Sequence, residues 1–162
     1  MSKKALLILD LQKGCREATT CKSIFDETVQ GINDISQVFR KEKQPVVVIQ
    51  HIEMGALKSD GFDNVDELVV SESDYRIEKN YYNSFWKTDL EEILKKEEVD
   101  TVVVGGFAAE FCVAATCNGA LERGFNAFLL KNAVAGFTEV GVDLLQQWRP
   151  LVTAEELKND LK

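Results

Sequence analysis

Short, unbroken apolar runs alternate along this chain with longer stretches in which apolar positions recur every three or four residues. Ala5–Leu9, Val46–Ile49, Thr101–Val104 and Ala127–Leu130 are the clearest runs; Tyr75–Glu78 is mixed and Pro150–Val152 is short. Continuous runs rich in β-branched residues predict strands buried on both faces, as in a parallel sheet. Between them, Ile24–Glu42 carries Phe25, Val29, Ile32, Ile35, Val38 and Phe39 at helical spacing. Thr88 with Glu91, and Thr153 with Glu156, have the capping-box spacing that opens a helix. The charge run Glu91–Glu98 reads as the solvated face of the first of these helices. Glu110–Arg123 is alanine-rich and stops at Gly124, and Glu139–Trp148 predicts a further helix. Strand–helix alternation of this kind predicts an α/β protein. The expected form is a three-layer α/β/α sandwich, Rossmann-like, around a mainly parallel sheet of roughly six strands. Residues 1–162 read as a single domain. The stretch 52–73, with Gly55 and Gly61, is loop-like and long enough to act as a lid or pocket wall.

Composition narrows the function. The net charge of −8 argues against nucleic acid or an anionic membrane as partner, since both select a basic surface. The apolar run after Met1 is too short for a signal peptide, and no stretch approaches the roughly 18 apolar residues of a membrane span. A cytoplasmic protein is therefore expected, with Cys15, Cys21, Cys112 and Cys117 as reduced thiols. The cysteines lack metal-knuckle spacing, and His51 is the only histidine, so neither a metal nor another cofactor is expected. A small molecule is the expected partner.

Ligands of an open parallel sheet sit beyond the carboxyl ends of its strands. Asp10, then Gln50 and His51, then Lys79, then Cys112 follow successive runs and can share one rim. Cys112 falls in the first turn of a helix, where the dipole and free N–H groups favour a thiolate and can hold an oxyanion. Taken alone it reads equally as a buried packing cysteine. Cys117 reads as packing, and Cys15 and Cys21 as loop or surface thiols. Asp10 is either a base or a strand-end aspartate bonded to loop backbone, and Lys79 either its cation or a solvated lysine. His51 suits a hydrogen-bonding pocket position better than a lone metal ligand. Tyr81, Tyr82, Phe85 and Trp86 form an aromatic cluster, either core or the wall of a flat pocket. Gly105-Gly106 lacks the remaining glycines of a phosphate-binding turn, so nucleotide binding is the weakest reading.

Three segments resemble the isochorismatase-like cysteine hydrolases, which include nicotinamidases and related amidohydrolases. They are Leu6-Leu-Ile-Leu-Asp10-Leu-Gln12, then Tyr75-Arg-Ile-Glu-Lys79 running on through Phe85 and Thr88 to Leu90, then Gly105-Gly-Phe-Ala-Ala-Glu-Phe-Cys112-Val-Ala-Ala-Thr116. The resemblance implies a catalytic triad of Asp10, Lys79 and Cys112. It also implies a cis peptide at Phe107–Ala108, an oxyanion hole from the N–H groups of Ala108 and Cys112, and a homo-oligomer, dimer or tetramer. The reaction it implies is hydrolysis of a small amide-like C–N bond through a thioester, with Gln50, His51, Phe85 and Trp86 expected to line the pocket. Its alternatives are vinyl ether hydrolysis of the isochorismate type without the thiol, and a non-catalytic binding or scaffold protein of the same fold. Three positions depart from the family pattern. Gln50-His51-Ile52-Glu53 stands where metal-using nicotinamidases carry Asp-x-His, with no second histidine; Cys15 replaces an aromatic residue; and Lys131-Asn132 precedes Ala133 where an acidic residue is usual.

Overall fold

A computed structural model describes residues 3–52 and 61–162. Six parallel strands form one sheet: β1 (Lys4–Leu9), β2 (Val46–His51), β3 (Tyr75–Lys79), β4 (Thr101–Gly106), β5 (Asn126–Val134) and β6 (Leu151–Val152). Their order is β3-β2-β1-β4-β5-β6. The chain therefore winds outward one way from β1 and the other way from β4, and the order reverses between these two central strands. The three-layer α/β/α expectation holds.

Helices cover both faces. Lys13–Ala18 (α1), Lys22–Lys41 (α2) and Ala154–Asp160 (α6) lie on one side. Phe25, Val29, Ile32, Ile35 and Phe39 of α2 and Leu157 of α6 pack there against Leu6, Ile8, Val46, Val48 and Val103. Leu90–Lys96 (α3), Ala114–Glu122 (α4) and Glu139–Trp148 (α5) lie on the other. Leu90, Leu94, Cys117, Ala120, Val142 and Leu145 pack there on Leu7, Leu9, Val47, Ile49, Val102 and Val104. Each central strand thus buries odd residues on one face and even residues on the other, which is why its sequence shows no polar alternation.

Two sequence expectations resolve differently. Thr153 and Glu156 close a reciprocal capping box at α6. Thr88 and Glu91 do not: the Thr88 hydroxyl donates to the Ser84 carbonyl, and α3 starts after Asp89 without a side-chain cap. The alanine-rich segment opens as a π-helical turn, Ala109–Val113, before continuing as α4. The expected lid or pocket wall over 52–73 falls partly on residues 53–60, outside the described residues. Among the described residues no helix is long and apolar enough to cross a membrane.

Gly105-Gly106 has a packing reason. Gly106 has φ +119°, and a Cβ there would fall on the Leu9 backbone of the neighbouring strand; a Cβ at Gly105 would meet the Ile32 side chain. The pair lets β1, β4 and α2 close together at the point where strand order reverses. Gly106→Ala is expected to destabilise the protein by about 2–3 kcal/mol, because backbone in this region cannot retreat from the added carbon. Urea unfolding measures it, and a change below about 0.5 kcal/mol would contradict the packing argument.

Candidate active site

The reversal point of the sheet collects the reactive groups. Asp10 follows β1 in a left-handed conformation (φ 50°), a region that short polar side chains tolerate best. Its N–H donates to Ile49 O at 3.0 Å, which holds it against β2. His51 and Lys79 end β2 and β3 and stand opposite each other in register. Cys112 sits in the π-helical turn that follows β4. Lys79 starts two strand spacings, about 9–10 Å, from β1. A long side chain is needed to cross that gap, and lysine crosses it above His51.

The Lys79 ammonium is the hub. It lies 3.2 Å from Asp10 Oδ2, 3.1 Å from Cys112 Sγ and 3.2 Å from His51 Nδ1. It also donates to the carbonyls of Tyr81 (3.0 Å) and Tyr82 (3.4 Å). Asp10, His51, Lys79 and Cys112 are all buried. Among the described residues Asp10 Oδ1 accepts no hydrogen bond, so this carboxylate oxygen can receive a donor from an incoming group.

Burial sets the protonation of these groups. It raises the Asp10 carboxyl above its ordinary range, with Lys79 and the neighbouring Cys112 thiol pulling it back. The Cys112 thiol is also pushed up, first by burial and then by the Asp10 charge, with Lys79 opposing. The sequence pointed to a thiolate at a helix terminus; the structure corrects this, because a second buried anion beside Asp10 costs more than the helix end returns. His51 is pushed down to about 4 by burial and then by the Lys79 charge. The imidazole is therefore neutral at ordinary pH.

Asp10, His51 and Cys112 offer three metal-ligand atoms within 4.8 Å of one another. They do not fit a metal while Lys79 is in place. A zinc-like ion would need about 2.0–2.3 Å to each donor, and the ammonium already occupies the space among them. The cation of this site is the lysine.

The surrounding residues sort differently from the sequence expectation. Phe85 is 4% exposed and stacks on Phe125 in the core, with the Arg123 guanidinium 5.1 Å from its ring; it does not line the site. Trp86 is 51% exposed, and its ring lies beside Lys87 on the surface. The Gln50 amide donates to Phe62 O and so fastens the loop after β2. Cys15 is buried, and close enough to Asp10 for the carboxylate to raise its thiol further after burial; it is not a surface thiol. Rings do approach the reactive groups, but they are Tyr82, Phe111 and Phe137. Tyr82 lies 6.2 Å from His51 and 5.2 Å from Phe111, which meets Phe137 at 5.7 Å. Tyr82 and Phe111 are 45% and 41% exposed, so the apolar edge beside the sulfur is open. Of the aromatic cluster read in the sequence, Tyr82 is the member whose ring meets His51. Phe111, next to Cys112 in the chain, carries no signal in the sequence that separates it from a packing ring.

Supporting bonds hold the frame. Gln12, fully buried, accepts from His51 N (2.9 Å) and donates to His51 O (3.2 Å) and Phe62 O (2.7 Å). Ser84 donates its N–H to Thr116 Oγ1 at 3.1 Å, and the two hydroxyls meet at 2.9 Å, tying the segment after Lys79 to α4. Glu110 accepts from Phe137 N and Thr138 N, which fixes the π-helical turn to the start of α5. The Phe107–Ala108 peptide ahead of that turn is cis.

A buried carboxylate, ammonium and thiol thus meet at the reversal point of a doubly wound sheet, and comparison with known proteins specifies the class. The isochorismatase domain family model matches residues 4–146. The uncharacterized isochorismatase family protein YrdC of Bacillus subtilis is 30% identical over 140 residues, covering 83% of this chain and 75% of that one. Among solved structures, N-carbamoylsarcosine amidase from Thermoplasma acidophilum superposes with a TM-score of 0.82 at 26% identity, covering 95% of this chain and 98% of that one. An isochorismatase-like hydrolase from Alkaliphilus metalliredigens shares the fold, with a TM-score of 0.84 at 23% identity over 99% and 100% of the two chains. The chain belongs to the isochorismatase family. It is a hydrolase of that family.

Removing the hub tests the electrostatics directly. Lys79→Met leaves a buried carboxylate without its cation, and breaking such a pair costs about 3–5 kcal/mol near neutral pH. The sign with pH is distinctive. Asp10 in the variant binds its proton above its unfolded-state pKa, so the folded form takes up a proton first and stability returns as pH falls toward that value. Denaturant titrations between pH 8 and 5 measure both effects; a variant as stable as the parent at neutral pH would contradict a buried ion pair.

Proposed function

We propose that this chain is a cysteine hydrolase acting on a small amide-like C–N bond through a thioester intermediate. The observation that carries the reading is the Lys79 ammonium placed 3.2 Å from Asp10 Oδ2 and 3.1 Å from Cys112 Sγ. One cation beside a carboxylate and a thiol, both with raised pKa, lets a single proton move between them while the local charge stays balanced.

In this reading Cys112 Sγ attacks the amide carbon as Asp10 takes the thiol proton. The carbonyl oxygen, now anionic, is held by the N–H groups of Ala108 and Cys112. The Ala108 N–H has no acceptor within the described residues, which supports that role. Phe111 N and Val113 N both turn back to Ala108 O at 3.0 Å. Asp10 then passes its proton to the departing nitrogen, and the amine leaves. Water gives a proton to Asp10 as it attacks the thioester; the acid departs, and the sulfur recovers that proton. The sum is amide plus water to acid plus amine, with no external base.

A neutral substrate suits the surroundings. The cations of α1 are already engaged, Lys13 with Asp66 at 2.8 Å and Arg16 with Asp26 at 2.7 Å. Lys79 is committed to Asp10 and Cys112. These pairings reduce the positive charge open to a dicarboxylate at the carboxyl end of β1. The open edge at Tyr82 and Phe111 favours an apolar or flat substituent.

The test uses a panel of neutral aliphatic and aromatic carboxamides. Cys112→Ser is expected to lower kcat at least about a thousandfold, and acid quenching of the wild type should trap an acyl group on the Cys112 peptide. Turnover that survives Cys112→Ala but not Asp10→Ala would replace this reading with vinyl ether chemistry independent of the thiol. Absence of any acyl adduct or turnover across the panel would favour a binding protein.

A further inference from the structure

His51 is the only histidine of the chain, and the proposed reaction gives it no part. Its placement is nevertheless tightly specified. The buried Gln12 side chain holds both its N–H and its carbonyl. Its ring is buried, with Nδ1 3.2 Å from Lys79 Nζ, 3.8 Å from Cys112 Sγ and 4.0 Å from Asp10 Oδ2. The Tyr82 ring closes one side, and the Asn80 backbone hydrogen-bonds the imidazole. The charged or titratable groups facing the ring are thus Asp10 from β1, Lys79 from β3 and Cys112 from the π-helical turn, with Tyr82 from the segment after β3.

An ammonium has three donors and no acceptor. A nitrogen 3.2 Å from it is therefore an acceptor, which puts the ring proton on Nε2. Resting on the reading above, we propose that His51 is a positioning residue: a neutral imidazole whose Nδ1 lone pair holds the Lys79 ammonium in place when Cys112 is acylated. The free site gives Lys79 a carboxylate oxygen, a sulfur, a nitrogen and two carbonyls as acceptors. Acylation engages the sulfur in a thioester and weakens it as an acceptor. Four acceptors then remain for the three N–H groups, and Nδ1, 3.8 Å from the sulfur, is the one beside it. Being neutral, it holds the ammonium there without adding a second negative charge. The Asp-x-Gln pair that follows β1 then has two functions, Asp10 supplying the proton carrier and Gln12 setting the imidazole.

The presence of a single histidine makes the test direct. With ring-¹⁵N-labelled histidine, NMR is expected to show a bare Nδ1 and a protonated Nε2 from pH 8 down to about 5, titrating near 4. Lys79→Met is expected to raise that pKa by about one unit or more, since a neighbouring cation has been removed. A proton on Nδ1, or a titration unaffected by Lys79→Met, would overturn the proposal whether or not the protein turns over amides. On the carboxamide that gives Cys112-dependent turnover, His51→Leu is expected to lower kcat about tenfold or more with little change in KM. His51→Asn restores an acceptor near Nδ1 and should recover most of that loss. Equal losses in both variants would reduce His51 to packing and reject the positioning role.

Discussion

A single buried ammonium determines the charge that the rest of this site can carry. Lys79 has its side chain fully enclosed, and it faces a carboxylate and a sulfur at 3.1–3.2 Å. Removing charges from water costs several kcal/mol per ion, so one cation in such a place supports one anion and not two. Burial raises both Asp10 and Cys112 although each touches a lysine, and the Asp10 charge raises the thiol further, so the proton of the pair stays on sulfur while the carboxylate is ionised. Burial and the Lys79 charge also hold the imidazole at the same hub neutral. The proton distribution follows from counting charge in a region with little water.

The fold supplies the hub by topology. The reversal of strand order between β1 and β4 opens a crevice that neither neighbour covers, and Asp10 and the Cys112 turn flank it. Lys79 comes from the opposite edge of the sheet, so its reach depends on β2 lying between. The frame around it is made largely of buried side chain-to-backbone bonds: Gln12 to His51 and Phe62, Ser84 to Thr116, and Glu110 to the start of α5. Each ties a segment next to a reactive group to a neighbouring part of the fold. The close approach of Gly106 to Leu9 is part of the same design, because the two central strands must meet there.

Much of this was legible in the sequence where burial is two-sided. Runs such as Val46–Ile49 and Thr101–Val104 announce central parallel strands because both faces are covered, and α2 announces itself through one apolar stripe. Asp10, Lys79 and Cys112 were identifiable as strand-end residues and by the family resemblance. Quantities that depend on the three-dimensional surroundings were not. A helix-end cysteine reads as a thiolate until the carboxylate beside it is seen. Phe85 reads as a pocket wall until its ring is found against Phe125. Thr88 has the spacing of a cap, but the helix starts one residue later, after Asp89, and the Thr88 hydroxyl accepts from Leu90 N and donates to Ser84 O. Gln12 belongs to the Leu6–Gln12 segment that carries the resemblance, but its role stays hidden there, since it consists of bonds to the backbone of residues 39 and 50 positions away.

The charge constraint also bears on the proposed reaction. In the resting site the carboxylate balances the ammonium and the thiol is neutral. When sulfur attacks, the proton moves to Asp10 and the negative charge passes to the substrate oxygen, still opposite the same ammonium. When the nitrogen leaves with the proton, the carboxylate is restored and the thioester is neutral. Every state therefore carries one positive and one negative charge, and no step asks a dry site to create a net charge. A protonated imidazole would break that balance by adding a second cation beside Lys79. The depressed basicity of His51 and its hydrogen bond from the ammonium are then two consequences of one arrangement. The low dielectric that would penalise an unbalanced site strengthens the interactions of a balanced one.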